Sequence, residues 1–443
     1  MPTRNPSLEV TNRTVLAIAV PMALGYLTTP LVGVADTAIV GQLGDAALIG
    51  GVAIAAVFVG VLLTTFNFLR FATSALTAQA FGRGDVMELA GILLRSCLVA
   101  VIVGALVAAL SHPILKLGLL IMQPSAAVAE AASSYFLIRV LAAPITLLNF
   151  VLFSWLLGTG RTILSFLLQT FLNVLNVLIS IYLVLVLDWG IAGAAWGTVI
   201  AEILTVALSV VFVVRPLLAR RGQIAALTFN YQKLKQMMVL NSDIMVRSFC
   251  LFAAFAFFTR QSAQQSDTIL AANEILLHFF MIGGYFLDGF ATSAEQFVGR
   301  AIGSGDRSTF RRAIRITSLW NLGQATLLML VYFIAGTMII DFLTIAEDVR
   351  LVARDFLIWA AITPIVGVAA FQMDGVFIGA TWSKDMRNSM LMSLAFLVAS
   401  YFVLFPLMGN HGLWLALCLF LGARGLTLSL ILLKREREAF QVA

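Results

Sequence analysis

The chain predicts an all-α polytopic membrane protein, with about twelve transmembrane helices in two parallel six-helix repeats forming two lobes around a central cleft. Three observations lead there. Hydrophobic residues make up 61% of the 443 positions and charged residues only 11%, against about a quarter charged in soluble domains. Mean hydropathy is +0.99. Apolar stretches of roughly 20 residues or more recur from Thr14 to Leu433, each long enough to cross about 30 Å of hydrocarbon. Finally, the second half of the chain repeats motifs of the first.

The spans are expected near residues 14–40, 46–72, 88–112, 125–156, 162–187, 190–214, 240–260, 268–294, 312–341, 352–378, 387–408 and 412–433. The first begins after MPTRNPSLEVTNR, and no small-residue cleavage site closes a short apolar segment there, so it is read as a retained span. With the N-terminus inside, Arg83, Arg161, Lys233, Arg307, Lys384 and Arg435 all fall on cytoplasmic segments, whereas the outer segments hold mainly Lys116, Arg260 and Arg350. This bias places both termini in the cytoplasm. It also accounts for the net charge of +6 through anionic lipid headgroups, without a nucleic-acid partner. Cys97, Cys250 and Cys418 lie inside predicted spans with no metal spacing and read as packing residues.

The duplication is carried by short matches. FATSALTAQAFGRGD (71–85) returns as FATSAEQFVGRAIGSGD (290–306), and YFLIRVLAAP (135–144) as DFLIWAAITP (355–364), which pairs Pro144 with Pro364. DWGIAGAAWG (188–197) has a weaker partner in NHGLWLALCL (410–419). An even number of spans per copy starts both copies on the same side of the membrane. The expected organisation is a six-helix lobe over 1–214, a basic cytoplasmic linker over 215–239 and a second six-helix lobe over 240–443. Two pseudo-equivalent lobes able to rock are the physical basis of alternating access, which points to a transporter. A channel would need rings of carbonyls or charges, and no segment resembles one.

Ionisable residues within lipid face protein or water and are functional candidates. Those inside the spans are Asp36, Arg139, Glu202, Asp243, Arg247, Glu274, Asp288, Glu295 and Asp374. Asp243 and Arg247, four residues apart, are expected to neutralise each other on one helix face. Asp288, Glu295 and Asp374 fall toward inner helix ends, where snorkelling or cytoplasmic Arg residues would satisfy them. Glu202 and Glu274 are secondary candidates. Asp36 is the sharpest: at the repeat offset its counterpart is Phe258, so the carboxylate belongs to one lobe only. The plainer reading makes it an interfacial residue turned to water near the outer leaflet. Asn173, Asn176 and Ser180 form one stripe of the fifth span, suited to a carboxylate, a small cation or helix packing. In a closed cavity, proton and cargo would compete for one carboxylate, which makes an exchange device. His112, His278 and His411 are scattered, and no Ser/His/Asp, HExxH or Walker A grouping appears; an enzyme or a bound cofactor is therefore not expected.

Pro21 followed by ADTAIVGQLG, the AFGRGD and AIGSGD turns and GIAGAAWGTVIAE resemble the multidrug and toxic compound extrusion (MATE) transporters over essentially the whole chain. NSDIMVRSF, FLDGFATSAEQFVGRAIGSGD and MDGVFIGATWSKDMRN look like its DinF branch. The resemblance implies an antiporter of a bacterial cytoplasmic (inner) membrane that exports organic cations or amphipathic toxic compounds in exchange for H⁺ or Na⁺. It also implies coupling or substrate roles for Asp36, Asn176, Tyr135 and Thr198. Where many relatives carry a second Asp on the fifth span, this chain has Ser180. Loss of one acid weakens a Na⁺ site at Asp36 and Asn176, so H⁺ is the expected coupling ion. The expected partners are small amphipathic or cationic molecules and membrane lipids, and the expected state is a monomer. The alternative is a flippase for a lipid-linked precursor. It would need several basic residues to hold a pyrophosphate, and only Arg139 and Arg247 are placed for that.

Overall fold

A computed structural model describes residues 9–218 and 230–440, so residues 219–229 of the expected linker lie outside the described residues. Among the described residues the chain is built of helices: α1 (Asn12–Gly41), α2 (Ala46–Thr65), α3 (Asn67–Arg83), α4 (Val86–Ala109), α5 (Ser111–Met122), α6 (Ala126–Leu141), α7 (Ala143–Gly158), α8 (Thr162–Ile181) and α9 (Gly190–Leu218) in the first half. The second half holds α10 (Tyr231–Ala263), α11 (Asp267–Ser304), α12 (Arg307–Leu343), α13 (Glu347–Gly379), α14 (Ser383–Met408) and α15 (Asn410–Phe440). Among the described residues eleven spans are long and apolar enough to cross a membrane, or up to twelve when the bent pair α6 and α7 is counted as one. Lipid is the physical reason for this uniformity, since every backbone N–H and C=O must be satisfied within its own segment. Side chains such as Phe342 (87% exposed) and Ile345 (92%) would be costly in water and suit a hydrocarbon surround.

The repeated Gly-x-Gly-Asp motif is one turn used twice. Gly84 ends α3 and Gly305 ends α11, both with left-handed backbone (φ +70° and +69°) that glycine adopts without a Cβ clash. The next residue in each copy caps the following helix. Asp85 accepts from the Glu88 amide at 2.9 Å and Asp306 from the Thr309 amide at 3.0 Å.

Three local features differ from the expected spans. The stretch expected as one helix over 125–156 breaks at Ala142 into α6 and α7, bent by 51°, with Pro144 in the first turn of α7. A proline lacks the N–H that a continuous helix would need there, and the first turn is where that loss costs least. Its repeat counterpart Pro364 lies inside the unbroken α13. The 12-residue α5 follows α4 as a separate helix, too short to span hydrocarbon, with Leu117, Leu120 and Ile121 exposed. After α8 the chain widens into a π-helical turn, Tyr182–Val186, before α9.

The chain divides into two units, one made of Gly25–Asn241 and one of Met1–Leu24 with Ser242–Ala443. The first has an apolar core that includes Val52, Ala55, Ala132, Phe136 and Ala194. Its helices approach closely where side chains are small: a Cβ on Gly197 of α9 would meet the Ser180 hydroxyl of α8 at 2.3 Å. In the second unit Phe258, Phe279, Trp414 and Phe420 fill the core. There α13 lies directly on the α11 backbone, because a Cβ on Gly375 would come within 2.0 Å of the Ala291 carbonyl oxygen.

Candidate functional site

Asp36 stands in α1 on a helix whose neighbouring residues are almost all apolar, and it is only 3% exposed. The carboxylate is therefore enclosed by protein and not turned to water. Tyr135 on α6 donates its hydroxyl to Asp36 Oδ2 at 3.0 Å, while Oδ1 is buried without a hydrogen bond. A buried acceptor left open in this way costs on the order of 1–3 kcal/mol or more, and at a functional site that cost marks a place for a proton, an ion or a ligand.

Two of the other expected residues meet one another. Asn176 on α8 donates to the Thr198 hydroxyl of α9 at 2.6 Å, and its own amide oxygen is buried and unpaired. Ser180, one turn further along α8, donates to the Ala194 carbonyl at 3.4 Å and is fully buried. Asn173 turns to α1 and donates to the Thr28 hydroxyl at 2.9 Å. Asp36, Tyr135, Asn173, Asn176, Ser180 and Thr198 thus all belong to the Gly25–Asn241 unit. They form two hydrogen-bonded pairs, one on Asp36 and one on Thr198, flanked by Asn173 and Ser180.

Glu202 on α9 pairs with Arg139 on α6. It lies four residues after Thr198, as Arg139 lies four after Tyr135, so each helix presents its pair on one face. Arg139 Nη1 donates to Glu202 Oε1 at 3.2 Å, and the Thr146 hydroxyl takes Oε2 at 2.7 Å. Asn149 holds the Glu202 backbone carbonyl at 3.1 Å. Elsewhere in the same unit the buried Glu88 pairs with Arg95 at 2.6 Å and with Lys233, so Arg139–Glu202 is a separate buried ion pair.

The second unit corrects several expectations. Asp243 and Arg247 do not pair with each other. Asp243 accepts from Arg387 at 2.6 Å and from Ser383 at 2.8 Å, both on α14, while Arg247 turns to Asp374 on α13. Shared helix face brings the two Cβ atoms near, but donors on neighbouring helices point at the buried carboxylates from across the core, and they win. Asp374 is held by Arg247 and Arg424, both inside spans, and not by a cytoplasmic arginine. All three groups are at least nine-tenths buried by residue. Asp288 is exposed, and Glu295 is buried and accepts from Gln296 at 3.3 Å. Glu274 is half-buried on α11 and accepts from the Thr259 hydroxyl at 3.0 Å. Among the described residues no three His, Cys, Asp or Glu side chains gather as a metal site would require.

Set beside known proteins, the chain matches the MatE family over residues 21–182 and again over 244–404, two segments that track the internal repeat. It belongs to the MatE family. DNA damage-inducible protein F of Escherichia coli K12 is 38% identical over 94% of this chain and 90% of its own length, in agreement with the DinF resemblance. Protein DETOXIFICATION 44, chloroplastic, of Arabidopsis thaliana is 24% identical over 95% of this chain and 82% of its own. Among solved structures, the Vibrio cholerae MATE transporter VcmN in its bent form superposes with a TM-score of 0.89 at 20% identity, covering 99% of this chain and 100% of that one. An outward-facing multidrug resistance MATE family transporter gives 0.86 at 16% identity, with 98% of each chain covered. The fold is thus that of the MatE transporters: an all-helical, multi-pass membrane protein in two six-helix repeats.

Proposed function

We propose that this MatE-family transporter is a secondary antiporter that exports organic cations or amphipathic toxic compounds across the cytoplasmic membrane by alternating access, driven by the inward flow of H⁺. One observation carries the reading: a carboxylate, Asp36, buried in a transmembrane helix, held by Tyr135 through one oxygen and open at the other. Protonated, the group is neutral and sits in an apolar helix at little cost; ionised, it demands a counter-charge. A proton and a cationic cargo are alternative ways of meeting that demand, so binding of one releases the other. A ligand can shift the conformation only by its differential affinity for the two states, and a proton-or-cargo choice at one acid supplies such a difference.

Na⁺ coupling is the weaker variant, since a hard cation gains from each added carboxylate and Ser180 brings none. A flippase would use free guanidinium groups, and Arg139 and Arg247 are both engaged with carboxylates. The relative named Multidrug export protein MepA, 22% identical over 44% of this chain, lends support to a drug cargo. We place the protein in the inner membrane with both termini cytoplasmic, on the distribution of basic residues, and take it to act as a monomer.

The test is a vesicle assay with the two gradients imposed separately. Efflux of a monovalent cationic dye is expected to follow an imposed pH gradient in the absence of Na⁺. Efflux that ignores pH and follows Na⁺ would remove the proton reading.

A further inference from the structure

The interior of the Gly25–Asn241 unit holds a buried ion pair that the exchange at Asp36 does not by itself require. Arg139 and Glu202 are 8% and 4% exposed, and a buried pair of this kind gains little net stability over apolar residues of the same size. Its placement suggests another use. Arg139 lies one helical turn from Tyr135, the residue that holds Asp36, so its guanidinium shares the face of α6 that meets this carboxylate. Glu202 anchors the guanidinium by one 3.2 Å hydrogen bond, and Glu202 is itself fixed by Thr146 and Asn149 on α7. Among the helices of this unit, α2, α7 and α8 carry no ionisable side chain, α6 carries Tyr135, Arg139 and the exposed Glu130, and α9 carries Glu202 and, near its C-terminal end, Arg215.

We propose that Arg139, held back by Glu202, is a positioning residue that sets the pH at which Asp36 gives up its proton to accept a cationic cargo. This rests on the antiport reading above and deepens it. When Asp36 is protonated, Arg139 and Glu202 cancel and the group of three is neutral. When Asp36 ionises, the group carries one net negative charge, matched to a monovalent cation. A nearby positive charge favours the ionised form of an acid, and a positive charge in direct contact would lock it. Glu202 keeps Arg139 near enough to help Asp36 ionise and keeps it from taking the cargo's place as a permanent partner.

The experiment is the pH dependence of cationic-dye binding to the purified protein in detergent, followed by fluorescence polarisation. The double variant R139Q/E202Q preserves size and removes both charges; its binding midpoint is expected to move alkaline by on the order of one pH unit. E202Q alone frees Arg139 toward Asp36 and is expected to move the midpoint acid and weaken dye binding. R139K, which retains the charge, is expected to stay near the intact protein. A pair that only braces the helices would change yield or thermal stability without moving the midpoint. Unmoved midpoints in whichever of R139Q/E202Q and E202Q can be purified, together with loss of pH-dependent binding in D36N, would overturn the positioning role and leave Asp36 standing. Unchanged pH dependence in D36N would instead overturn the antiport site itself.

Discussion

Asp374→Asn is the substitution with the largest expected effect on stability. The carboxylate is 5% exposed, and its Oδ2 receives both Arg247 and Arg424, whose side chains are 10% and 3% exposed. An asparagine keeps the volume but removes the charge, which leaves two guanidinium groups facing each other in the core of the second unit. Removing one partner of a buried pair costs about 3–5 kcal/mol, and here one removal strands two cations. For domains of 150–250 residues each kcal/mol is worth about 2–4 °C, so the midpoint of thermal unfolding in detergent is expected to fall by roughly 6–20 °C. The triple change R247M/D374L/R424M removes all three charges together and is expected to recover most of the loss, because well-packed apolar residues can replace a buried ionic triad without penalty. A drop of less than about 1 kcal/mol for D374N would refute the reasoning, since it would mean that water already screens the three groups.

Three further outcomes follow from single contacts. Tyr135→Phe deletes the one hydrogen bond on Asp36; a bond to a charged group is worth about 1.5–3 kcal/mol, so the initial rate of gradient-driven dye efflux is expected to fall about tenfold or more, and an unchanged rate would show the hydroxyl to be idle. Gly375→Ala puts a Cβ 2.0 Å from the Ala291 carbonyl oxygen; the overpacking should cost about 1–3 kcal/mol in thermal unfolding, whereas the same change at Gly33, which faces open space, should not. Burial works against ionisation of Asp306, but hydrogen bonds from Thr309 and Ser308 outweigh it and lower its pKa from 3.8 to about 2. Being lowered on folding, this group supports the fold fully above pH 3.8 and loses that support as pH falls toward 2, so acid-melting curves of the intact protein and Asp306→Ala should converge at low pH and stand apart at neutral pH, by about 1 kcal/mol for a lost cap.

The spans were readable because lipid leaves the chain almost no alternative to helices of fixed minimum length, and the Gly-x-Gly-Asp repeats were readable because Gly84 and Gly305 are needed for one backbone geometry. Asp36 was visible as a charge without a counterpart in the second repeat, and the i, i+3, i+7 stripe of Asn173, Asn176 and Ser180 as a polar face on an apolar helix. Pairings were not readable. Asp243 meets Arg387 and Arg247 meets Asp374, contacts between residues 144 and 127 positions apart, and helix periodicity says which face a side chain occupies but not which helix lies opposite. For the same reason the sequence shows Arg139 and Glu202 only as separate candidates, although each stands one turn from a residue of the expected site. The break at Ala142 and the short helix α5 escaped because hydrophobicity measures length in apolar residues and is blind to where a backbone bends within them.

The central claim is that one enclosed acid trades a proton for a cation. Its most direct test is cation-dye efflux from right-side-out membrane vesicles for the intact protein and for Asp36→Asn, which keeps the shape and the Tyr135 contact and removes the titrating charge. The account predicts that the asparagine variant assembles at normal yield but no longer moves dye in response to a pH gradient. Gradient-driven efflux equal to that of the intact protein would contradict it.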